Sequence, residues 1–268
     1  LYFLHYHLIN FMSIIEKIFL HFSDKIKQTF TNEEIFDIFK DNKRILLLLI
    51  QIGIITFDNS IIQYILSISQ KTFKERINYF SKKINELLNN RKYKEEDIYL
   101  HYYHIYFYPE IKDNIDEEIR EMIMKEVEII GTNIFDNFEE KRKNGENENY
   151  ICELMRSDSI EDFVAYVTKN NISLKTIINP SIFETNILLI KKPPTLIEYA
   201  AFYGSIQIVQ YLKFNNVDLN PDLWIYSIHS NNPQLIHFLE ENQVEPPNDS
   251  FKICLKKAIK CHHNNIAD

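Results

Sequence analysis

Apolar positions recur along this chain at helical spacing, and in one stretch the pattern is copied. The residues TLIEYAAFYGSIQIVQYLKFNNVDL, from Thr195 to Leu219, are followed by YSIHSNNPQLIHFLEENQVE, from Tyr226 to Glu245, which repeats the apolar positions without a gap. Tyr199 falls on Tyr226, Ile208 on Leu235, Val209 on Ile236, Tyr211 on Phe238, Leu212 on Leu239 and Val217 on Val244, each displaced by 27 positions. A fixed displacement that preserves a helix, a break and a second helix predicts stacked units, and stacked units usually make a binding surface.

The N-terminal half reads as helix after helix. Thr31-Asn32-Glu33-Glu34 is a capping box before IFDIFK, since the threonine hydroxyl and the glutamate carboxylate can each satisfy a free N–H of the first turn. Asp41-Asn42 precedes KRILLLLIQIG, with Gly53 as its stop. The run Ile45 to Phe57 predicts a fully buried helix and is shorter than the ~20 residues a membrane span needs. Asn59-Ser60 opens IIQYILSI. Lys71 to Leu88 is amphipathic, with apolar residues at Phe73, Ile77, Phe80, Ile84, Leu87 and Leu88 and Lys and Glu on the other face. Asp97 to Tyr108 is dense in Tyr, His and Phe and is expected to end at Pro109, and Asp116 to Ile130 is again amphipathic, closed by Gly131. Strand alternation is hard to find.

Charge and proline divide the chain. Glu139 to Asn149, EEKRKNGENEN, is charged on every face and holds the turn signal Asn144-Gly145. It predicts a linker over 139–149, between an irregular N-terminal helical region, 1–138, and repeats in 150–268. Pro193-Pro194 and Pro246-Pro247 each block helix continuation just before a new unit. The chain opens on Leu1 and its first methionine is Met12, so residues 1–11 are expected to lie outside the fold. The first 22 residues lack a basic leading region and a small-residue cleavage site, and no signal peptide is expected.

Thr195-Leu196-Ile197-Glu198-Tyr199-Ala200-Ala201-Phe202-Tyr203-Gly204 resembles the ankyrin motif T-P-L-H-x-A-A-x-x-G, and Ile206, Val209 and Leu212 follow as its second helix. Each matched residue type has a physical role. Thr195 with Glu198 forms a capping box, Ala200 and Ala201 allow close helix approach, and Gly204 can leave the helix with positive φ. Leu196 stands where the motif has Pro and Glu198 where it has His, so the hydrogen bonding between repeats that the motif assigns to that His is not carried over. Ala258 to Ile266 matches Ser227 to Leu235 at a displacement of 31, which starts a third unit near Phe251 that is cut off at Asp268. Ile160, Phe163, Val164 and Val167, followed by Asn170 to Leu174, read as the second helix of an earlier unit, with a slip of one residue. Between that unit and Thr195 lies the insertion INPSIFETNILLIKKPP. Displacements of 27 and 31 fall short of the roughly 33 residues of an ankyrin unit, so shortened β-turn fingers are expected. From Gly145 to Asp268 the chain resembles a large, divergent ankyrin-type family of protist proteins built on a domain of unknown function. The resemblance implies an all-α helical repeat scaffold for protein contacts and assigns no enzymatic activity.

Composition narrows the function classes. Only 4 Gly among 268 residues leaves little material for a nucleotide-cradling loop, and no nucleophile elbow or ordered Ser, His and Asp set is present, so no enzyme and no cofactor or small-molecule substrate is expected. A net charge of −8 disfavours nucleic acid or an anionic membrane as partner. Three cysteines, Cys152, Cys254 and Cys261, have no disulfide-framework spacing, which points to reduced thiols in cytosol or nucleus. Asp158, Glu161 and Asp162 stand at a helix start, where carboxylates complement the helix dipole.

Three readings of function remain. The leading one is a non-catalytic scaffold that meets a protein partner through the concave face and loops of its helix pairs, with Tyr199, Phe202 and Tyr203, and Tyr226, His229 and Ser230 one unit later, projecting as contact residues. Trp224 is assigned to the core. A second reading is a structural segment of a longer repeat protein, motivated by the cut-off last unit. A third is a metal-binding module at Cys254, Cys261, His262 and His263, weighed against core thiols and turn histidines; His101 and His104 pose the same choice, with no third ligand evident. No metal site is assigned.

Overall fold

The computed structural model describes residues 8–67 and 102–267, and every regular element among them is a helix. They divide into two units, one of Met12–Glu146 with Ser181–Lys191, the other built from Asn147–Pro180 and Lys192–Asp268.

The first unit takes up α1 (Leu8–Thr29) from Met12 on, and α1 leads to α2 (Asn32–Phe39) and α3 (Lys43–Gln51), followed by a helical stretch over 59–67. The capping box forms as expected: the Glu34 N–H donates to Thr31 Oγ1 at 3.2 Å and the Thr31 N–H to Glu34 Oε2 at 2.8 Å. Helix α3 is shorter than its apolar run, because Gly53 turns left-handed at φ 69° and the Ile54 N–H closes back on the Leu49 carbonyl. Ile54 and Ile55 stay buried beyond the helix end. The amphipathic segment Lys71–Leu88 lies outside the described residues. Pro109 opens a helix instead of ending one: α4 (Tyr103–Tyr106) is followed by α5 (Tyr108–Ile111), which takes the proline in its first turn, where no N–H is needed. Asp116 caps α6 (Glu117–Ile130), which ends at Gly131.

The expected linker is corrected by α7 (Phe138–Asn144), a helix with Arg142 fully buried. Its guanidinium lies over the rings of Tyr106 and Phe138 and donates to both carboxylate oxygens of Glu110, at 2.5 and 3.2 Å. A charge run is a loop only if no partner neutralises it; here Glu110, 32 positions upstream, does so. The turn at Gly145 is as expected, left-handed at φ 68°.

The second unit is a row of helix pairs. The first is α8 (Tyr150–Arg156) with α9 (Ile160–Lys169). The chain then leaves this unit: Ile178 N–H donates to the Pro194 carbonyl and Leu196 N–H to that of Thr176, which pins the two ends of the insertion beside each other around an antiparallel bridge between Ile177 and Thr195. The excursion, with α10 (Ile187–Lys191), belongs to the first unit. There Phe183 packs edge-on against Phe138 at 5.5 Å, Thr185 donates to the Gly145 carbonyl and Lys43 to that of Ile182. Three more pairs follow, α11 (Leu196–Tyr203) with α12 (Ile206–Phe214), α13 (Leu223–Ser230) with α14 (Pro233–Glu241), and α15 (Lys252–Cys261) with α16 (Asn264–Ala267). First helices pack in the order α8, α11, α13, α15, each second helix packs on its own first, and α9 packs on α12.

The displacement of 27 seen in the sequence recurs in burial at five of its six pairs, the exception being Val209, which is buried, and Ile236, which is half-buried. Ile208 and Leu235, Leu212 and Leu239, and Val217 and Val244 are buried pairwise, while Tyr211 and Phe238 are both half-buried. Gly204 and Asn231 are left-handed between the helices of a pair, as are Asn216 and Gln243 after it. Asn170, Asn215 and Asn242 each end a second helix with the side-chain amide donating to the carbonyl four residues back, at 2.8 Å in all three.

Candidate functional site

Helix α11 has no polar face apart from Glu198, and all its residues from Leu196 to Phe202 are buried. A short helix that is apolar all round belongs to the centre of a structure. This corrects the expected projection of four of the six contact residues: Tyr199, Phe202, Tyr226 and His229 are buried, and only Tyr203 and Ser230 are partly exposed.

The buried side chains form the mortar between successive first helices. The Tyr199 hydroxyl accepts from Arg156 Nη1 at 2.9 Å, and the guanidinium, which also donates to the Asn147 carbonyl, lies 5.9 Å from the centre of the Tyr203 ring. Tyr203 stands 4.8 Å from Tyr199 and 5.0 Å from Phe202, ring centre to ring centre, and Phe202 reaches the His229 ring at 5.2 Å. His229 Nδ1 in turn is 3.8 Å from Cys261 Sγ. Burial, reinforced by the carboxylates of Glu198 and Asp222, pushes the Tyr226 hydroxyl well above its ordinary range, so the phenol stays neutral. Ser230 Oγ donates to the Ser227 carbonyl, and its residue marks the accessible rim of the row together with Tyr203.

Polar side chains tie one pair to the next at places the sequence did not reveal. Glu198 forms the capping box with Thr195 and, from its other oxygen, accepts from Asn220 Nδ2 at 3.3 Å in the loop before the next pair. Glu198 thus serves its own helix and also links one helix pair to the next. Asn232 Nδ2 donates to the Gly204 carbonyl at 2.8 Å. Asp158 does not serve its own helix: left-handed at φ 49°, it accepts the N–H groups of Gln207 and Ile208 at 3.1 Å and so caps α12 of the following pair. Glu161 and Asp162 do lie in the first turn of α9.

Trp224 is core as expected, its indole N–H donating to the Val244 carbonyl at 2.9 Å. Cys254 and Cys261 are buried, and burial raises both thiols, Cys254 to about 11. His263 is buried and the neighbouring His262 exposed, so the two diverge. Among the described residues no three His, Cys, Asp or Glu side chains converge. His101 lies outside those residues; His104 is buried and pairs with Glu126 at 2.8 Å. No described helix is long and apolar enough to cross a membrane. No known protein family, curated protein or solved structure matches the chain.

Proposed function

We propose that the unit from Asn147 onward is a divergent ankyrin-like array and acts as a non-catalytic scaffold for a protein partner. The observation that carries this reading is the displacement of 27, found alike in burial, in the left-handed positions Gly204 and Asn231, and in the terminal asparagines Asn215 and Asn242. A row of like helix pairs offers an extended face, the geometry that repeat proteins use for binding.

The contact surface in this reading is the rim at Tyr203 and Ser230, with the buried aromatic residues beneath giving it a rigid floor. Affinity capture with the whole chain, with Tyr203→Ala combined with Ser230→Arg, and with Met124→Ala on α6 as a remote control tests it. A partner lost with the first variant and kept with the second supports the scaffold; equal recovery of every partner by all three proteins overturns it.

A further inference from the structure

The last long helix, α15, departs from the charge of the chain that carries it. In a protein of net charge −8, KICLKKAIKC holds four lysines and no carboxylate. Its inner face, Cys254, Ala258 and Cys261, is buried where α15 packs on α13. Beside that face runs an apolar strip at i, i+4 and i+8, Phe251, Leu255 and Ile259, with 53%, 45% and 57% of their surface exposed. One position further round, at the same spacing, run the exposed residues Lys252, Lys256 and Lys260. Side chains four apart on a helix lie above one another, so these are two stripes about 100° apart around the helix, the lysines flanking the apolar strip on the side away from the buried face.

We infer that this face is a docking site for an acidic amphipathic helix of another protein. Apolar anchors on such a helix cover Phe251, Leu255 and Ile259, and its carboxylates meet the lysine stripe, so that apolar and charged faces complement each other along two packed helices. Charge decides among occupants. A second copy docked antiparallel through the same strip sets lysine against lysine, which costs binding. An anionic membrane also offers negative charge, but the rest of this acidic chain repels it. The inference rests on the scaffold reading above; the capture experiment there reads Tyr203 and Ser230, whereas the test here reads α15 alone, so either can fail by itself.

The test is a titration of the whole chain against a fluorescent helical peptide with leucines at i, i+4 and i+8 flanked by glutamates, beside the same peptide with lysines for glutamates. The glutamate peptide is expected to bind and to weaken about tenfold or more as salt is raised, while the lysine peptide does not bind. Leu255→Asp with Ile259→Asp should weaken binding about a hundredfold, and Lys252→Glu with Lys256→Glu about tenfold, at exposed positions where unchanged thermal melting shows the fold intact. Equal binding of both peptides, or of neither, overturns the inference. So does a dimer in light scattering that Ile259→Asp dissociates, or binding to phosphatidylserine vesicles that exceeds binding to the peptide.

Discussion

Ala200 has no exposed surface on a helix packed between two others, so the space beside its methyl group is already filled. Ala200→Leu should cost about 1–3 kcal/mol of unfolding free energy, measured by urea titration. Cys254 makes a pH-dependent contribution: its proton is held more tightly in the folded state, so the stability it supplies is complete below the ordinary 9.0 and is lost as pH rises towards about 11. The urea midpoint should fall across that window, and less steeply in Cys254→Ala. At this scale the sequence was most legible where a residue serves its own helix, as Thr195 and Thr31 do, because both halves of a capping box lie within four positions. It was least legible where the partner is distant. Arg142 sits in a run that looks solvated until Glu110 is placed beside it, and Asp158 looks like a cap for α9 until Gln207 and Ile208 reach it.

Helix boundaries in the repeating row depend on left-handed residues, and the chain fills those places unequally. Gly204 takes its position at φ 82° without strain, whereas Gln243 holds the equivalent of Asn216 at φ 52° with a full side chain. Gln243→Gly should therefore raise stability by about 1 kcal/mol, and Gly204→Ala should lower it by about 1–2 kcal/mol, since the left-handed conformation disfavours Cβ. Calorimetric melting of both variants distinguishes them by sign. The apolar copy at 27 made these elements readable in advance, as the matching burial of Leu212 and Leu239 shows. The exposure of their aromatic residues was not readable, because a helix flanked by neighbours on both sides buries positions that a lone pair would leave open. The all-round apolar character of LIEYAAFY was the available signal.

At the scale of the molecule, the boundary between units lies inside the stretch expected as a linker, after Glu146, yet a cut there does not separate them. Ser181–Lys191 belongs with the residues before the cut, and it carries Ile182, Phe183 and Leu189, all buried. A truncated chain of 147–268 should expose these side chains and aggregate. The same truncation with 181–191 replaced by a short Gly-Ser turn should remain dispersed, since Ile178 and Pro194 already hold the ends together. Light scattering at matched concentration compares the two.

The excursion also sets an order of events during synthesis. A unit that begins at Met12 lacks Phe183 and Thr185 until the ribosome has made residues 147–180, which have a different destination. Domains usually close as they emerge, first from the N-terminus. Here the earlier unit should close only after a piece made in the middle of the later one has emerged, with Phe138 and Gly145 uncovered until then.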